Sequence, residues 1–129
     1  MGFSLYIVLP TVKLNKMGIH IIAKTLGKTI TEKGFGYDEK HIENERYISF
    51  DSIRCSGDTD FIYSDEIEWE FKYDDPENPD YEHGYRRPKD IEKTKLWIQN
   101  NIPESNKNRL TNLLNDMTQN QNLWISVSY

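Results

Sequence analysis

The sequence predicts an α+β fold in which helices pack on one face of a mostly antiparallel sheet of about five strands. Two patterns lead to this prediction. Residues 66–73 alternate apolar and charged side chains with period two, which is typical of a half-buried strand. Residues 89–101 and the segment after Pro103 instead place apolar side chains three and four positions apart, as helices do. The 129 residues suit one domain, so residues 1–129 are expected to fold as a single unit.

Strands are expected where short apolar or β-branched runs are bounded by turn-forming residues. The three middle runs follow one another with short turns, which predicts an antiparallel meander. The first run is the most apolar and ends at Pro10, so it is expected inside the sheet, beside the last strand. The expected strands are residues 3–9, 46–53, 59–63, 66–73 and 123–129.

Helices are expected in three places. Residues 14–30 carry apolar side chains at helical spacing, with lysines away from that stripe, and Gly34-Phe35-Gly36 then breaks the pattern. Two further helices cover residues 89–101 and the segment after Pro103, for which Ser105 is a candidate N-cap. The charged residues 37–45 are expected to form a loop, so the predicted order is β-α-β-β-β-α-α-β.

Charge is distributed unevenly along the chain, which carries 21 acidic and 16 basic residues for a net charge of −5. Residues 35–85 hold sixteen acids and four bases, whereas residues 1–34 and 86–129 are net basic. A nucleic-acid-binding protein needs a basic footprint, so this balance argues against nucleic acid and for a basic partner.

A cytoplasmic location is expected from the cysteine content and from the hydropathy. The single cysteine, Cys55, has no partner for an internal disulfide, which suits a reducing compartment. No segment approaches the roughly 20 apolar residues that cross a bilayer, and residues 3–9 lack the basic region that precedes a signal sequence. We therefore expect no membrane association.

The sequence contains few of the patterns that enzymes use. His20, His41 and His83 have neither the second histidine nor the cysteine pair of common metal sites, so neither a metal nor a cofactor is expected. Phosphate-binding loops and nucleophile elbows are absent from the sequence. The alternative of a small acid/base or metal-assisted enzyme would need a pocket that joins His83 or His41 to several carboxylates.

The carboxylates of residues 66–75 are the main candidate site. On a strand, Glu66, Glu68 and Glu70 would share one face with about 6.8 Å between neighbours, and Asp74 and Asp75 follow them. Such a face is the solvated side of a sheet, a surface that binds a basic protein, or a site for catalysis or a divalent metal.

The long segment 74–88 contains three prolines and no periodicity, which predicts a loop. Tyr81, Tyr85 and Arg86 are its candidate partner-binding residues, because Tyr and Arg are enriched among residues that dominate interface energy. A mobile surface loop is the alternative interpretation.

Three features together resemble the immunity proteins of bacterial toxin systems, including contact-dependent growth inhibition. They are the opening Met1–Val8, the ending Asn122–Tyr129 after paired helices, and the acidic block Asp58–Asp80. The resemblance implies a cytoplasmic protein that binds a cognate toxin domain, often a basic nuclease, and blocks its active site or substrate surface. A monomer is favoured, and a structural or adaptor protein that associates through an edge strand is the remaining alternative.

Overall fold

The computed structural model describes residues 19–55 and 61–128, which form an antiparallel sheet of six strands and two helices. This confirms the predicted α+β class. The strands are β1 (Ile19–Lys33), β2 (Asp38–Arg46), β3 (Ile53–Cys55), β4 (Trp69–Lys72), β5 (Tyr85–Pro88) and β6 (Leu123–Ser128); the helices are α1 (Ile91–Asn101) and α2 (Glu104–Gln119).

The long strand β1 organises the sheet, whose order is β2-β1-β6-β5-β4. β6 pairs with the first half of β1, from His20 opposite Ser128 to Thr25 opposite Leu123. β3 pairs with the start of β1 and β2 with its remainder. Because β6 occupies one edge of β1, β3 and β2 follow each other along the opposite edge.

β1 and β2 form a hairpin that extends beyond β6. Its register shifts between Leu26 and Thr29, where a bulge bends the strand. The turn is closed by the N–H of Gly34, which donates to the carbonyl of Tyr37 at 2.9 Å, and Gly36 adopts a positive φ of 81°. The break in helical spacing at Gly34-Phe35-Gly36 is thus a tight hairpin turn.

One face of the sheet packs against both helices and carries the main core. Alternate residues of β1 and β6 point towards the helices, because side chains alternate between the two faces of a strand. They meet the apolar stripe of α2 and one side of α1. The main core includes Ile21, Ala23, Ile98, Leu110, Leu113, Leu114, Met117, Leu123 and Ile125.

The opposite face holds a smaller buried cluster of Leu26, Ile42, Tyr85 and Trp124. Two cations lie over its rings: Lys24 Nζ is 5.9 Å from the centroid of Tyr85, and Lys72 Nζ is 5.1 Å from that of Trp124. Each lysine stem thereby covers apolar surface while its charge stays near solvent.

The buried guanidinium of Arg87 joins the sheet to α2. It donates to the carbonyls of Met117 at 2.6 Å, Leu123 at 2.8 Å and Asn120 at 3.1 Å. These carbonyls lie where α2 ends and β6 begins, so a cation here also suits the negative end of the helix dipole. Desolvation lowers the pKa of Arg87 from its ordinary value, an effect that the charge of Glu70 opposes.

The predicted helix over residues 14–30 is wrong, because residues 19–33 form β1; residues 14–18 lie outside the described part of the chain. Apolar residues occur on both faces of β1, with Ile21 on the helix side and Ile22 and Leu26 on the other, which hides the period of two in the sequence. The predicted strand 3–9 also lies outside the described residues. The predicted order β-α-β-β-β-α-α-β is therefore wrong at its first helix, which is replaced by the strand β1.

The middle strands are also shifted. The charged segment 37–45, expected as a loop, is largely β2, because an edge strand exposed to solvent tolerates polar side chains. The predicted strand 46–53 is mainly the turn between β2 and β3. Of the predicted strand 59–63, residues 61–63 form a turn and residues 59–60 lie outside the described part of the chain; the predicted strand 66–73 shortens to β4. The predicted meander of the middle strands does not form, because β3 pairs with β1 and β4 with β5.

The predicted helices of the last third and the final strand are confirmed. α1 begins after Asp90, whose carboxylate accepts the N–H of Lys93 at 3.0 Å. Ser105 is not a cap: α2 begins after Pro103, at Glu104, without a side-chain cap. Neither helix in the described ranges has the length and hydropathy that crossing a membrane requires.

Candidate functional site

The segment between β4 and β5, residues 73–84, crosses to the β1–β2 hairpin. Asp74 Oδ1 accepts the backbone N–H of Ile42 at 2.9 Å and lies 3.5 Å from the hydroxyl of Tyr85. Lys40 and Glu77 form a long ion pair of 3.9 Å between the hairpin and this segment. Burial and the neighbouring carboxylate of Asp74 raise the pKa of Tyr85. The segment, named here the acidic loop, is thus anchored to the sheet at its start.

Two aspartates hold turns within the acidic loop. Asp75 accepts the N–H of Glu77 at 3.0 Å and the side-chain amide of Asn78 at 3.2 Å, and these bonds lower its pKa. Asp80 accepts the N–H of Glu82 at 3.2 Å. Such side-chain-to-backbone bonds replace the ladder bonds that the loop lacks.

Asp80 also lies against the loop histidine. A hydrogen bond of 2.7 Å joins its Oδ2 to His83 Nδ1, and both side chains are mostly exposed. This contact raises the pKa of His83 and lowers that of Asp80, because each charged form stabilises the other.

Three aromatic rings form a surface cluster beside the acidic loop. Tyr73 stacks parallel to Phe71 with ring centroids 6.3 Å apart and meets Tyr81 edge-on at 5.4 Å. Phe71 and Tyr81 are 44% and 75% exposed, which is unusual for rings that already contact one another. The three rings line a cleft of about 300 Å³, named here the aromatic groove. The other residues that line it include Thr29, Ile42, Lys72, Pro76 and Pro79.

Gly84 allows the ring of Tyr73 to take this place. A Cβ atom at Gly84 would lie 2.5 Å from Cε1 and 2.8 Å from Cδ1 of Tyr73, well inside van der Waals contact. The position of Tyr73, and with it the stack on Phe71, therefore depends on a residue without a side chain.

The groove lies in a negatively charged stretch of chain. The acidic loop contains five carboxylates and one histidine, and Glu77 and Glu82 are exposed. Three of the residues that line the groove, Pro76, Pro79 and Tyr81, are each adjacent in sequence to acidic residues. The cation Lys72 also lines the groove, but its ammonium lies over Trp124.

The three glutamates predicted to share a strand face are separated. Glu66 lies in a turn and accepts the indole N–H of Trp97 at 2.6 Å, whereas Glu70 is in β4 opposite Arg87. Glu68 precedes β4, and its carbonyl accepts the N–H of Lys89 at 3.0 Å. All three carboxylates are exposed, but the uniform acidic strand face that the alternation suggested does not form, because β4 begins only at Trp69.

Glu66 and Glu68 instead border a second cleft of about 520 Å³ beside α1. Asp65, Asp90 and Lys93 contribute further charges to it. It contains both signs of charge, so it is less uniformly acidic than the loop.

Of the three loop residues predicted to bind a partner, Tyr81, Tyr85 and Arg86, only Tyr81 is well exposed. Tyr85 is 5% exposed within the smaller core cluster. Arg86 is half-buried: Nη1 donates to the carbonyl of Ile62 at 2.9 Å, and the guanidinium carbon lies 5.4 Å from the ring centroid of Trp69 and 5.1 Å from that of Phe71. Tyr85 and Arg86 belong to β5, where the predicted loop 74–88 has already ended.

Sequence reasoning missed Phe71 and Tyr73 as surface residues, because the alternation assigned them to the buried face. It also missed Pro76 and Pro79. The signal that could have found them is the density of Tyr and Pro over residues 71–81, since aromatic and proline side chains form grooves that recognise peptides.

The described residues contain no group of three or more His, Cys, Asp or Glu side chains suited to hold a metal ion. His41 lies 3.7 Å from Glu32 on the hairpin, and His83 pairs with Asp80 in the loop. Neither histidine lines the aromatic groove; His41 lines a separate open cleft of about 640 Å³ along β1 and β2, together with Glu43 and Glu45. The arrangement at the groove is suited to non-covalent recognition: exposed ring faces beside carboxylates.

No protein-family model, curated protein or solved structure matches this chain.

Proposed function

We propose that this chain is a toxin-neutralising immunity protein, which binds a basic toxin domain through the acidic loop and blocks that domain's active site or substrate surface. The observation that carries the proposal is an anchored loop with five carboxylates beside exposed aromatic rings. Rings supply contact area at low entropic cost, and carboxylates select a positively charged surface.

The loop is suited to binding because its own contacts fix much of its shape. Asp74, Asp75 and Asp80 use their carboxylates for internal hydrogen bonds, whereas Glu77 and Glu82 are exposed. A loop that is ordered before binding loses less conformational entropy in the complex. A nuclease that holds phosphates with basic residues would meet acidic groups in the same place, and the opposite charges would speed encounter.

The proposal predicts a neighbouring gene that encodes a secreted protein with a toxic C-terminal domain, and the test uses that domain. Co-expression with this chain is expected to restore growth to cells that the domain arrests, and the two proteins are expected to co-purify. Unabated growth arrest in the presence of folded, abundant chain would contradict the proposal.

The charge mechanism is tested with two matched double variants that change net charge equally. Glu77→Gln with Glu82→Gln removes two carboxylates from the loop, and Glu92→Gln with Glu104→Gln removes two exposed ones from the helices. At low salt the loop variant is expected to slow association about tenfold and to flatten the salt dependence of the association rate. The helix variant is expected to change the association rate less than about twofold. Equal effects of the two pairs would show that net charge, and not the loop, governs encounter.

A further inference from the structure

We propose that the aromatic groove receives the guanidinium group of an arginine side chain from the toxin domain. This inference rests on the proposed function and specifies which partner chemistry the groove recognises. The groove would stack the planar cation on its exposed rings, while carboxylates of the acidic loop balance its charge.

The rings leave part of their surface exposed. Tyr73 stacks on Phe71 and meets Tyr81 at an interplanar angle of 77°, so the cluster presents ring surfaces in two orientations. Phe71 and Tyr81 remain 44% and 75% exposed after these contacts. A cation over a ring face is attracted by the ring quadrupole, and a partly enclosed cleft of about 300 Å³ reduces the competing solvation.

Charge selects a cation for this cleft. The acidic loop contributes Glu77, Glu82 and three aspartates and carries no Lys or Arg. The cations near the groove have other contacts: Lys72 lies over Trp124, Lys40 pairs with Glu77, and Arg86 donates to the carbonyl of Ile62. The loop carboxylates flank the groove residues Pro76, Pro79 and Tyr81 in sequence, so the local charge favours a basic group over an acidic one.

Arginine fits better than lysine because its group is planar and stacks on rings while its N–H groups reach carboxylates. The chain itself contains this geometry one strand away, where the guanidinium carbon of Arg86 lies 5.1 Å from the centroid of Phe71 and 5.4 Å from that of Trp69. Phe71 thus already contacts an internal guanidinium and also lines the groove.

The test titrates the ¹⁵N-labelled chain with three capped pentapeptides that differ only at the central residue: arginine, lysine or citrulline, the neutral planar analogue of arginine. The arginine peptide is expected to give saturable shifts centred on residues 71–73 and 81, with affinity about threefold above the lysine peptide and further above the citrulline peptide. Equal affinity for arginine and citrulline, equal affinity for arginine and lysine, or shifts centred elsewhere would each overturn the inference.

Tyr81→Ala removes an exposed ring and is expected to weaken the arginine peptide about threefold while the chain stays folded. Leu96→Ala is the matched control: it truncates a 66% exposed side chain on α1 and is expected to leave the affinity unchanged. Equal affinity of Tyr81→Ala and the unmodified chain would count against the groove.

The two proposals fail in different experiments. Arginine-selective shifts at the groove, together with a toxin domain that the chain does not inhibit, would overturn the proposed function and support the groove chemistry. Full inhibition by Tyr81→Ala, together with an absence of peptide shifts at the groove, would overturn the groove and leave the proposed function supported.

Discussion

The helix-covered face of the sheet and the acidic-loop side are stabilised in different ways. The first is closed by α1 and α2 over a continuous apolar core that includes Ile21, Leu114 and Ile125. The second has the small cluster around Tyr85 and Trp124 and a loop that is held mainly by side-chain hydrogen bonds. Stability therefore comes mostly from the first, whereas the second can keep aromatic rings exposed for a partner.

The largest expected effect tests this division directly. Leu114→Ala removes a fully buried side chain from the main core and is expected to lower the free energy of unfolding by about 3 kcal/mol. Tyr81→Ala on the loop is expected to change it by less than about 0.5 kcal/mol. Urea unfolding followed by circular dichroism measures both, and comparable losses would contradict the division.

A second substitution tests the polar link between the two sides. Arg87→Met keeps an apolar stem but leaves the carbonyls of Met117, Asn120 and Leu123 without the guanidinium. We expect a loss of about 2–3 kcal/mol, because unsatisfied buried carbonyls are costly. Arg87→Lys should recover part of the loss, since one ammonium reaches fewer of these carbonyls. Unchanged unfolding in urea would show that the carbonyls find other partners.

Gly84→Ala tests how the aromatic groove is built. The added methyl group would overlap the ring of Tyr73, so we expect a loss of about 1–2 kcal/mol and weaker binding of the arginine peptide. Gly36→Ala is the control: it strains a positive φ in the hairpin turn at a cost of about 1 kcal/mol but meets no neighbouring atom. Loss of peptide binding in both variants would indicate a general effect of stability.

The smallest expected effect is a change of titration within the loop. Asp80→Asn removes the partner that raises the pKa of His83, so that pKa is expected to fall, as measured by NMR titration of the imidazole. The pKa of His83 is raised and that of Asp80 is lowered. Their ion pair therefore stabilises the folded chain fully at pH values between the ordinary pKa of Asp and the ordinary pKa of His. It is lost as pH rises through the raised pKa of His83 or falls through the lowered pKa of Asp80. Glu92→Gln is expected to leave the pKa of His83 unchanged.

The two helices were predicted well because α1 and α2 each have one buried and one solvent-facing side. β6 was predicted because Ser126 and Ser128 alternate with apolar residues, although Trp124 is buried on its other face. β1 does not, because Ile21 faces the helices while Ile22 and Leu26 lie on the other side of the same strand. Its β-branched residues favoured a strand and Gly27 disfavoured a helix, but the spacing of apolar residues resembled a helix.

The candidate site was predicted only in part for a related reason. The composition located the acidic loop and Tyr81, but alternation assigned Phe71 to the interior. Neither pattern could show that Tyr85 is buried or that Glu66 and Glu70 lie in different parts of the surface. Those properties depend on where β4 begins and on how the loop crosses to the hairpin, which are contacts between segments distant in sequence.

Hydrogen exchange of the chain alone and bound to the toxin domain tests the central claim most directly. We expect the amides of the acidic loop, residues 73–84, to gain protection on binding, while those on the exposed side of α1 stay unchanged. Protection confined to α1 and α2, with the loop exchanging as in the free chain, would contradict the account.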